Sequence, residues 1–280
     1  MSRACRSGKI GGVRVSAAGR TVLAITLLLA VTAACTRAGT TEHPTTAAPL
    51  LRQPATAPAT AQPVQPDPEV GAVFLGGGSF HTCSGAVLDS AGGDLILTAA
   101  HCLADGVDAT FVAGFSNDAA PEDVWHLDAV YLDPRWMQNQ DPMADFAIAR
   151  VSREAGGTIV AEAGGGLTLG SAPNPGTVVT VTGYPMGEGG GPIACRGPTV
   201  PATQGFPSLP CEGLVDGFSG APWVTGSTVT GLVGGLDGGG CEDKSSYSPP
   251  FDDAITGLLR RAEAGGPADD PPTVFNDGCD

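Results

Sequence analysis

Short apolar segments separated by turn-forming residues dominate the chain from about residue 69 onward. Five of these segments are rich in β-branched residues and are bounded by Gly, Asp, Asn or Pro: Gly71–Leu75, Cys83–Leu88, Leu95–Ala99, Thr177–Val181 and Thr228–Val233. Segments of this length and composition are typical of β-strands. The pattern therefore predicts an all-β fold for this part of the chain.

One late segment has the periodicity of a helix rather than that of a strand. Its apolar residues recur at the spacing of one helix face; they are Phe251, Ile255, Leu258 and Leu259. Two prolines precede the segment, as is typical of a helix start. We expect one C-terminal helix there, followed by an acidic, Pro-rich tail over residues 264–280 that is loosely ordered.

The N-terminal region combines basic residues with a short apolar run. Residues 1–35 contain five basic residues and no acidic residue, and Val22–Ala34 is an apolar run of 13 residues. A membrane-spanning helix requires about 20 apolar residues. A basic flank, a short apolar run and small residues at its end instead predict a secretory signal peptide over residues 1–34.

The end of this apolar run, Val31–Cys35, resembles the lipobox of bacterial lipoproteins, in which the Cys is lipidated and becomes the mature N-terminus. Thr32 stands where Leu is favoured, and ordinary cleavage after an Ala-rich site is the alternative. The sequence thus predicts an exported protein, either a cell-surface lipoprotein or a secreted one. A lipid anchor at Cys35 would be its one form of membrane association.

A linker is expected between Cys35 and the folded domain. Residues 36–68 contain 7 Pro, 7 Thr and 7 Ala and almost no large apolar residue. Such a segment cannot bury a core, so residues 35–68 are expected to form an extended spacer. The folded domain would then cover residues 69–263.

The charge of the chain limits its partners. Residues 36–280 contain 29 acidic and 9 basic residues, and the whole chain has a net charge of −15. Phosphate backbones and anionic lipid surfaces would repel such a protein. The composition therefore argues against nucleic-acid binding and against electrostatic membrane docking.

Three short motifs carry chemistry. Thr98–Cys102 follows an apolar strand, Asp145–Ala149 starts with an acid and continues as an apolar strand, and Asp216–Pro222 holds a Ser among small residues. Nucleophilic catalysis on an acyl group requires a hydroxyl, a neutral imidazole that takes its proton, and a carboxylate that orients the imidazole. It also requires N–H donors directed at the developing oxyanion.

In content and in their order His101, Asp145, Ser219, these motifs resemble those of trypsin-like serine proteases with the chymotrypsin fold, of the secreted bacterial kind. The resemblance covers about residues 70–262. It implies two packed antiparallel six-stranded β-barrels with one C-terminal helix, and a site in the cleft between the barrels.

The same resemblance implies a role for each residue. Ser219 would attack the scissile carbonyl, His101 would act as general base and then as general acid, and Asp145 would orient His101. The N–H groups of Gly217 and Ser219 would form the oxyanion hole. Asp141 is the nearest rival of Asp145, which is favoured because an apolar strand follows it directly. The implied activity is an endopeptidase that acts on protein or peptide substrates through an acyl-enzyme, without a cofactor.

Two alternatives to this function are open. One is an esterase-like hydrolase with the same triad, and the other is a catalytically silent binding module. Phe218 supports the second, because animal members of the family carry an Asp there, which pairs with a freed N-terminal amine. Phe218 cannot form this pair. We expect packing around Phe218 to hold the oxyanion hole instead.

Six cysteines follow Cys35 and allow 15 pairings. The family resemblance implies the disulfides Cys83–Cys102 and Cys195–Cys211. It leaves Cys241 and Cys279, which would pin the tail to the domain if they pair.

A metal site formed by His81, Cys83, His101 and Cys102 is the rival interpretation of these cysteines. Export favours disulfides over thiolate ligands, and catalysis requires His101. The sequence therefore predicts no metal.

Overall fold

The structure is a computed structural model that describes residues 58–273 except 105 and 243. The expected signal peptide over 1–34, the lipidation candidate Cys35 and the linker up to residue 57 lie outside the described residues. Residues 274–280, with Cys279, lie outside them as well.

The described residues form mainly short strands. These are β1 (Ala59–Thr60), β2 (Gln62–Pro63), β3 (Val70–Leu75), β4 (Phe80–Val87), β5 (Leu95–Thr98), β6 (Ala109–Ala113), β7 (Trp125–Leu132), β8 (Ala147–Ser152), β9 (Thr168–Leu169), β10 (Val178–Gly183), β11 (Gly187–Glu188), β12 (Ile193–Pro198), β13 (Val200–Thr203), β14 (Phe206–Glu212), β15 (Pro222–Thr225), β16 (Thr228–Leu232) and β17 (Ser245–Tyr247).

Three helices and several 3-10 turns connect the strands. The helices are α1 (Pro134–Asn139), α2 (Ile159–Ala163) and α3 (Asp253–Glu263), and the 3-10 turns are Ala100–Cys102, Pro121–Asp123, Pro142–Ala144 and Leu236–Gly239. Within the described part of the chain, none of these helices has the length and apolar character needed to cross a membrane.

The first half of the domain is a closed six-stranded antiparallel barrel. Its strand order is β4-β3-β6-β7-β8-β5, and β5 pairs back onto β4. The inward side chains are apolar and fully buried, among them Leu97, Phe111, Trp125 and Ile148. Burial of this apolar surface drives formation of the barrel, since each large apolar side chain contributes about 1.5–3 kcal/mol.

The second half consists of two sheets that share one core. Strands β2-β12-β10-β15-β16-β9 form a six-stranded sheet, and β14 pairs with β1, β13 and β17. Val181 of the first sheet and Leu209 of the second belong to one buried cluster. The predicted all-β two-barrel fold is thus confirmed. Two short pairings, β1 with β14 and β9 with β16, are parallel rather than antiparallel.

All five strands predicted from the apolar segments are present, with ends that differ by a few residues. The C-terminal helix is α3, which begins after Asp252, whose side chain accepts a hydrogen bond from the N–H of Ala254. The prediction of one helix was wrong, because α1 and α2 are also helical. With six and five residues, they are too short to produce a helical period in the sequence.

The folded domain extends further toward the N-terminus than expected. Residues 59–63, assigned to the linker, form β1 and β2, and β1 pairs with Cys211 and Glu212. The N–H of Ala61 also donates to the carbonyl of Glu212 at 2.8 Å. Backbone pairing and small Ala side chains make these contacts, so composition gave no sign of them.

The beginning of the acidic tail is ordered, contrary to expectation. The N–H of Asp269 donates to the carbonyl of Val130 at 2.8 Å, and its carboxylate accepts the N–H of Leu132 at 2.8 Å. Arg261 of α3 forms an ion pair with the same carboxylate. Asp269 therefore fastens the described part of the 264–280 segment to β7.

This contact predicts a stability effect for Asp269→Ala. The substitution leaves the N–H of Leu132 without its acceptor and Arg261 without its ion pair, so it should lower the free energy of unfolding by about 1–3 kcal/mol. Urea denaturation measures the change. Asp270→Ala removes the same charge from an exposed neighbour and should change the stability by less than about 0.5 kcal/mol. Equal losses in the two variants would contradict the assigned contact.

Candidate active site

Antiparallel pairing of β5 with β8 brings His101 and Asp145 together. Thr98, the last residue of β5, lies opposite Ala147, the first residue of β8. His101 follows Thr98 by three residues in the 3-10 turn Ala100–Cys102, and Asp145 precedes Ala147 by two. The two side chains thus meet at one end of the first barrel although they are 44 residues apart in the chain.

The Asp145 carboxylate is fully buried and accepts three hydrogen bonds. Its Oδ2 accepts from Nδ1 of His101 at 2.7 Å and from the N–H of Gly235 at 2.8 Å, and its Oδ1 accepts from the N–H of His101 at 3.0 Å. A buried carboxylate requires such partners, since an unpaired charge in the interior is costly. One acid thus connects the first barrel to the segment that follows β16.

This arrangement fixes the tautomer of His101. A carboxylate only accepts hydrogen bonds, so Nδ1 carries the proton and Nε2 is the basic nitrogen. The His101 side chain is 9% exposed, so it is sheltered but still reaches the surface. The geometry is that of an imidazole held ready to accept a proton.

Asp141, the rival acid, has a different position. Its Oδ1 accepts the N–H of Met143 at 3.0 Å and caps the 3-10 turn Pro142–Ala144. That turn leads directly into Asp145. Asp141 therefore caps the turn that leads to Asp145, whereas the hydrogen bonds to His101 come from Asp145.

The cysteines beside His101 form a disulfide. Cys83 and Cys102 are bonded, so their sulfurs are not thiolates. His81, the fourth member of the rival metal set, lies elsewhere: its Nε2 is 2.9 Å from the carbonyl oxygen of Gly189. The rival metal site is therefore wrong, and the disulfide anchors the turn that carries His101.

The second implied disulfide, Cys195–Cys211, is also present and joins β12 to β14. It lies just upstream of the segment that carries Ser219. Cys241 is disulfide-bonded as well, while its expected partner Cys279 lies outside the described residues.

Ser219 lies on a segment packed against the first barrel. Its carbonyl oxygen accepts the N–H of Ser84 at 2.8 Å and is 3.7 Å from Sγ of Cys102. That sulfur and a ring nitrogen of His101 are within 4.8 Å of each other. A Cβ on Gly220 would be 2.3 Å from the carbonyl oxygen of Ser84. Close backbone contact thus places the Ser219 segment against the disulfide-linked turn that carries His101.

The peptide group between Asp216 and Gly217 is held in one orientation. The Asp216 carbonyl accepts the N–H of Met186 at 2.7 Å. Because N–H and C=O point in opposite directions in a trans peptide, the N–H of Gly217 points away from Met186. Gly217 has a φ of +96°, and a Cβ there would be 2.2 Å from the nitrogen of Met186, so only glycine fits.

The peptide group between Phe218 and Ser219 is held in a similar way. The Phe218 carbonyl accepts the N–H of Ala221 at 2.7 Å, which orients the N–H of Ser219. Among the described residues, no acceptor binds the N–H of Gly217 or that of Ser219. Both donors are therefore available to an oxyanion.

Phe218 is buried in the core of the second half. It is 1% exposed and belongs to the cluster that contains Val181 and Leu214. Its ring lies against Gly183, where a Cβ would approach the ring to 2.8 Å. Apolar packing thus holds this position, in agreement with the expectation from the sequence.

Sequence analysis missed the residues that act through their backbone. Gly235 and Met186 hold the site with N–H groups, and any residue except proline offers such a donor. Ser84 is a small polar residue in a buried strand, where a side chain of this kind requires a partner. The place of Ser84 in a run of buried residues in β4 could have drawn attention to it but could not identify its hydrogen-bond partners.

A family model for the trypsin-like peptidase domain matches residues 83–234, which is slightly more than half of the chain. The matched region contains the disulfide turn, both residues of the His–Asp pair and the Ser219 segment. This chain belongs to the trypsin-like peptidase family. A comparison with curated protein sequences gives no match.

Solved structures share the fold of this trypsin-like peptidase domain. Protease Anisep from Arthrobacter nicotinovorans is 24% identical, with 73% of this chain and 99% of that one covered and a TM-score of 0.63. The thermostable serine protease AL20 from an extremophilic microorganism is 21% identical, with 71% and 98% covered and a TM-score of 0.61. A Glu endopeptidase is 15% identical, with 73% and 96% covered and a TM-score of 0.59.

The packing of Phe218 predicts how this peptidase domain responds to substitution there. Phe218→Asn places an amide without a partner in the core and removes the ring, so it should lower the free energy of unfolding by about 3–5 kcal/mol. Phe218→Leu keeps an apolar side chain, so it should lower the free energy of unfolding by less than half as much. Urea denaturation and the rate of labelling by a fluorophosphonate, compared at equal folded fraction, provide the measurement. If Phe218→Asn matched the wild type in both, the packing role would be refuted.

Proposed function

We propose that this protein is an exported serine endopeptidase that hydrolyses peptide bonds through an acyl-enzyme. His101, Asp145 and Ser219 form the catalytic triad in this proposal, and the N–H groups of Gly217 and Ser219 form the oxyanion hole. The substrate is a protein or peptide, and the chemistry requires no cofactor.

The observation that carries the proposal is the hydrogen bond of 2.7 Å between His101 Nδ1 and the buried Asp145 carboxylate. It leaves Nε2 as the proton acceptor on the side of the ring that a nucleophile would use. The close contact between the Ser219 segment and the turn that carries His101 supports Ser219 as that nucleophile.

The reaction follows from these positions. As Ser219 Oγ bonds to the scissile carbonyl carbon, its proton passes to His101 Nε2, and the carbonyl oxygen becomes an oxyanion bound by the two N–H groups. Asp145 stabilises the imidazolium that forms. The C–N bond then breaks, and the amine leaves with the proton from His101. A water molecule then attacks the acyl-enzyme, with His101 again accepting and returning the proton. This step releases the carboxylic acid product and frees Ser219.

Export is supported by the disulfides Cys83–Cys102 and Cys195–Cys211, because such bonds persist in oxidising compartments. The signal peptide over 1–34 and a lipid anchor at Cys35 are part of the proposal. The exported protein would be either a cell-surface lipoprotein or a secreted protein. The excess of acidic residues after Cys35 would repel polyanions, so nucleic acids are excluded as partners.

The alternative of a silent binding module is disfavoured by the available N–H donors. A collapsed oxyanion hole would turn the Gly217 or the Ser219 N–H toward the protein, whereas both lack an acceptor among the described residues. The packing of Phe218 provides the support that an ion pair gives in animal members of the family.

Covalent labelling tests the nucleophile. A fluorophosphonate should attach to Ser219 alone, located by mass spectrometry of the disulfide-intact protein, since a triad activates one hydroxyl among many. Ser219→Ala should abolish the labelling, and Asp145→Asn should slow it by about 10⁴-fold. Ser227, exposed in the turn between β15 and β16, provides the matched control, and Ser227→Ala should label at the wild-type rate. Absence of labelling in a folded protein would support the silent binding module.

A second assay separates the peptidase from the esterase alternative. The peptidase should release fragments from fluorescently labelled casein as well as hydrolyse p-nitrophenyl acetate, and Ser219→Ala should remove both activities. The amine of a peptide bond is a poor leaving group, so its departure requires the proton that His101 returns. Ester hydrolysis without any cleavage of casein would therefore favour the esterase.

A further inference from the structure

Ser84 is a fully buried residue of β4 that connects both halves of the domain. Its hydroxyl donates to the carbonyl of Gly217 at 2.8 Å and accepts the N–H of Tyr184 at 2.9 Å. Its own N–H donates to the carbonyl of Ser219 at 2.8 Å. A single residue of the first barrel thus binds both ends of the Gly217–Ser219 segment.

The partners of the Ser84 hydroxyl belong to the two segments that meet at the proposed oxyanion hole. One segment is Tyr184–Met186, which holds the Asp216 carbonyl through the N–H of Met186 at 2.7 Å. The other is Gly217–Ser219, whose N–H groups lack acceptors among the described residues. The Ser84 hydroxyl bridges the two segments directly, so their separation depends on it.

Tyr184, which donates its N–H to the Ser84 hydroxyl, is held firmly in the core. Its side chain is fully buried, and its ring packs against those of His81 and Phe115 at centroid distances of 6.2 and 5.9 Å. Burial, with a smaller contribution from Asp67, raises the pKa of the Tyr184 phenol, so the group remains neutral. The Tyr184–Met186 segment is therefore a fixed surface against which the hydroxyl can hold Gly217.

We propose that Ser84 is a positioning residue for catalysis: its hydroxyl fastens the Gly217–Ser219 segment to the Tyr184–Met186 segment and so keeps the oxyanion-hole N–H groups in their catalytic orientation. This inference rests on the proposed function. Without the hydroxyl, the Gly217 carbonyl and the Tyr184 N–H both lose a buried partner. Each can recover one only if its peptide group rotates. The Gly217 carbonyl shares its peptide group with the Phe218 N–H, so rotation there displaces the backbone that lies between the Gly217 and Ser219 N–H groups.

Ser208 offers a matched control for the loss of a buried hydroxyl. It is 3% exposed, and its hydroxyl accepts the N–H of Thr203 at 3.2 Å and donates to the carbonyl of Phe206 at 3.0 Å. These bonds lie within the β13–β14 hairpin and touch neither of the two segments. Ser84→Ala and Ser208→Ala thus remove the same group with the same number of backbone hydrogen bonds.

The experiment compares Ser84→Ala, Ser84→Thr and Ser208→Ala in the full chain, with p-nitrophenyl acetate as the substrate and fluorophosphonate titration of active sites. Loss of one oxyanion-hole donor lowers kcat by about 10²–10³-fold. Ser84→Ala, which acts on the donors indirectly, should lower kcat by about 10- to 100-fold and change KM by less than about twofold. The midpoint of its pH–rate profile should equal that of the wild type, because Ser84 does not contact His101. Ser84→Thr keeps the hydroxyl and should restore most of the rate, and Ser208→Ala should keep the wild-type kcat.

Three results would overturn the inference: an unchanged kcat in Ser84→Ala, a loss no larger than that of Ser208→Ala, or a shifted pH–rate midpoint. An inactive wild-type protein that does not react with the fluorophosphonate would instead refute the proposed function.

If Ser84→Ala does not fold, Met186→Pro tests whether the Tyr184–Met186 segment holds the Gly217–Ser219 segment in its catalytic orientation. The Met186 side chain is 45% exposed, and the substitution removes the N–H that holds the Asp216 carbonyl. Met186→Ala keeps that N–H and is the control. The inference requires a lower kcat in Met186→Pro alone, and equal values of kcat in the two variants would contradict it.

Discussion

The buried carboxylate of Asp145 is the interaction on which the candidate site depends. It accepts the side chain and the backbone N–H of His101 from the first barrel and the N–H of Gly235 from the segment after β16. A charge removed from water is stable only with such partners. The requirement to satisfy this single group therefore aligns the imidazole and links the first barrel to the segment after β16.

The Ser219 segment is built on the same principle but with neutral groups. Its carbonyls at residues 216, 217, 218 and 219 each accept a hydrogen bond, from Met186, Ser84, Ala221 and Ser84 respectively. In the part of the chain that the structure describes, the N–H groups of Gly217 and Ser219 have no acceptor. The segment thus directs its donors outward because its acceptors are all occupied inside, and the close approach of Gly217 and Gly220 to neighbouring backbone makes this possible.

Support for this segment comes from apolar packing where animal members of the family use an ion pair. Phe218 places its ring in the core of the second half, and Cys195–Cys211 braces the strand that leads to it. Packing of this kind requires no freed terminus. The strands β1 and β2 add backbone pairing along the same half, so residues 59–63 are part of the folded domain rather than of a linker.

Much of this architecture can be predicted from local patterns in the sequence. The five β-branched segments indicated their strands, the spacing of Phe251, Ile255 and Leu258 indicated α3, and the motifs around His101 and Ser219 indicated a peptidase of this family. The exceptions have a common cause. α1 and α2 are shorter than the period that reveals a helix, and β1, β2 and the start of the tail are held by backbone hydrogen bonds and by Asp269 rather than by an apolar face.

The sequence by itself determined the order of the elements, the chemical groups available for catalysis and the cysteines that can pair in an oxidising compartment. Only the tertiary structure decided which groups meet: the N–H of Gly235 on Asp145, the hydroxyl of Ser84 on Gly217, and the N–H of Met186 on Asp216. The physical reason is that backbone donors and acceptors are the same in nearly every residue. The amino-acid sequence therefore does not mark which backbone groups support the site. Only the packing of strands that are distant in sequence selects them.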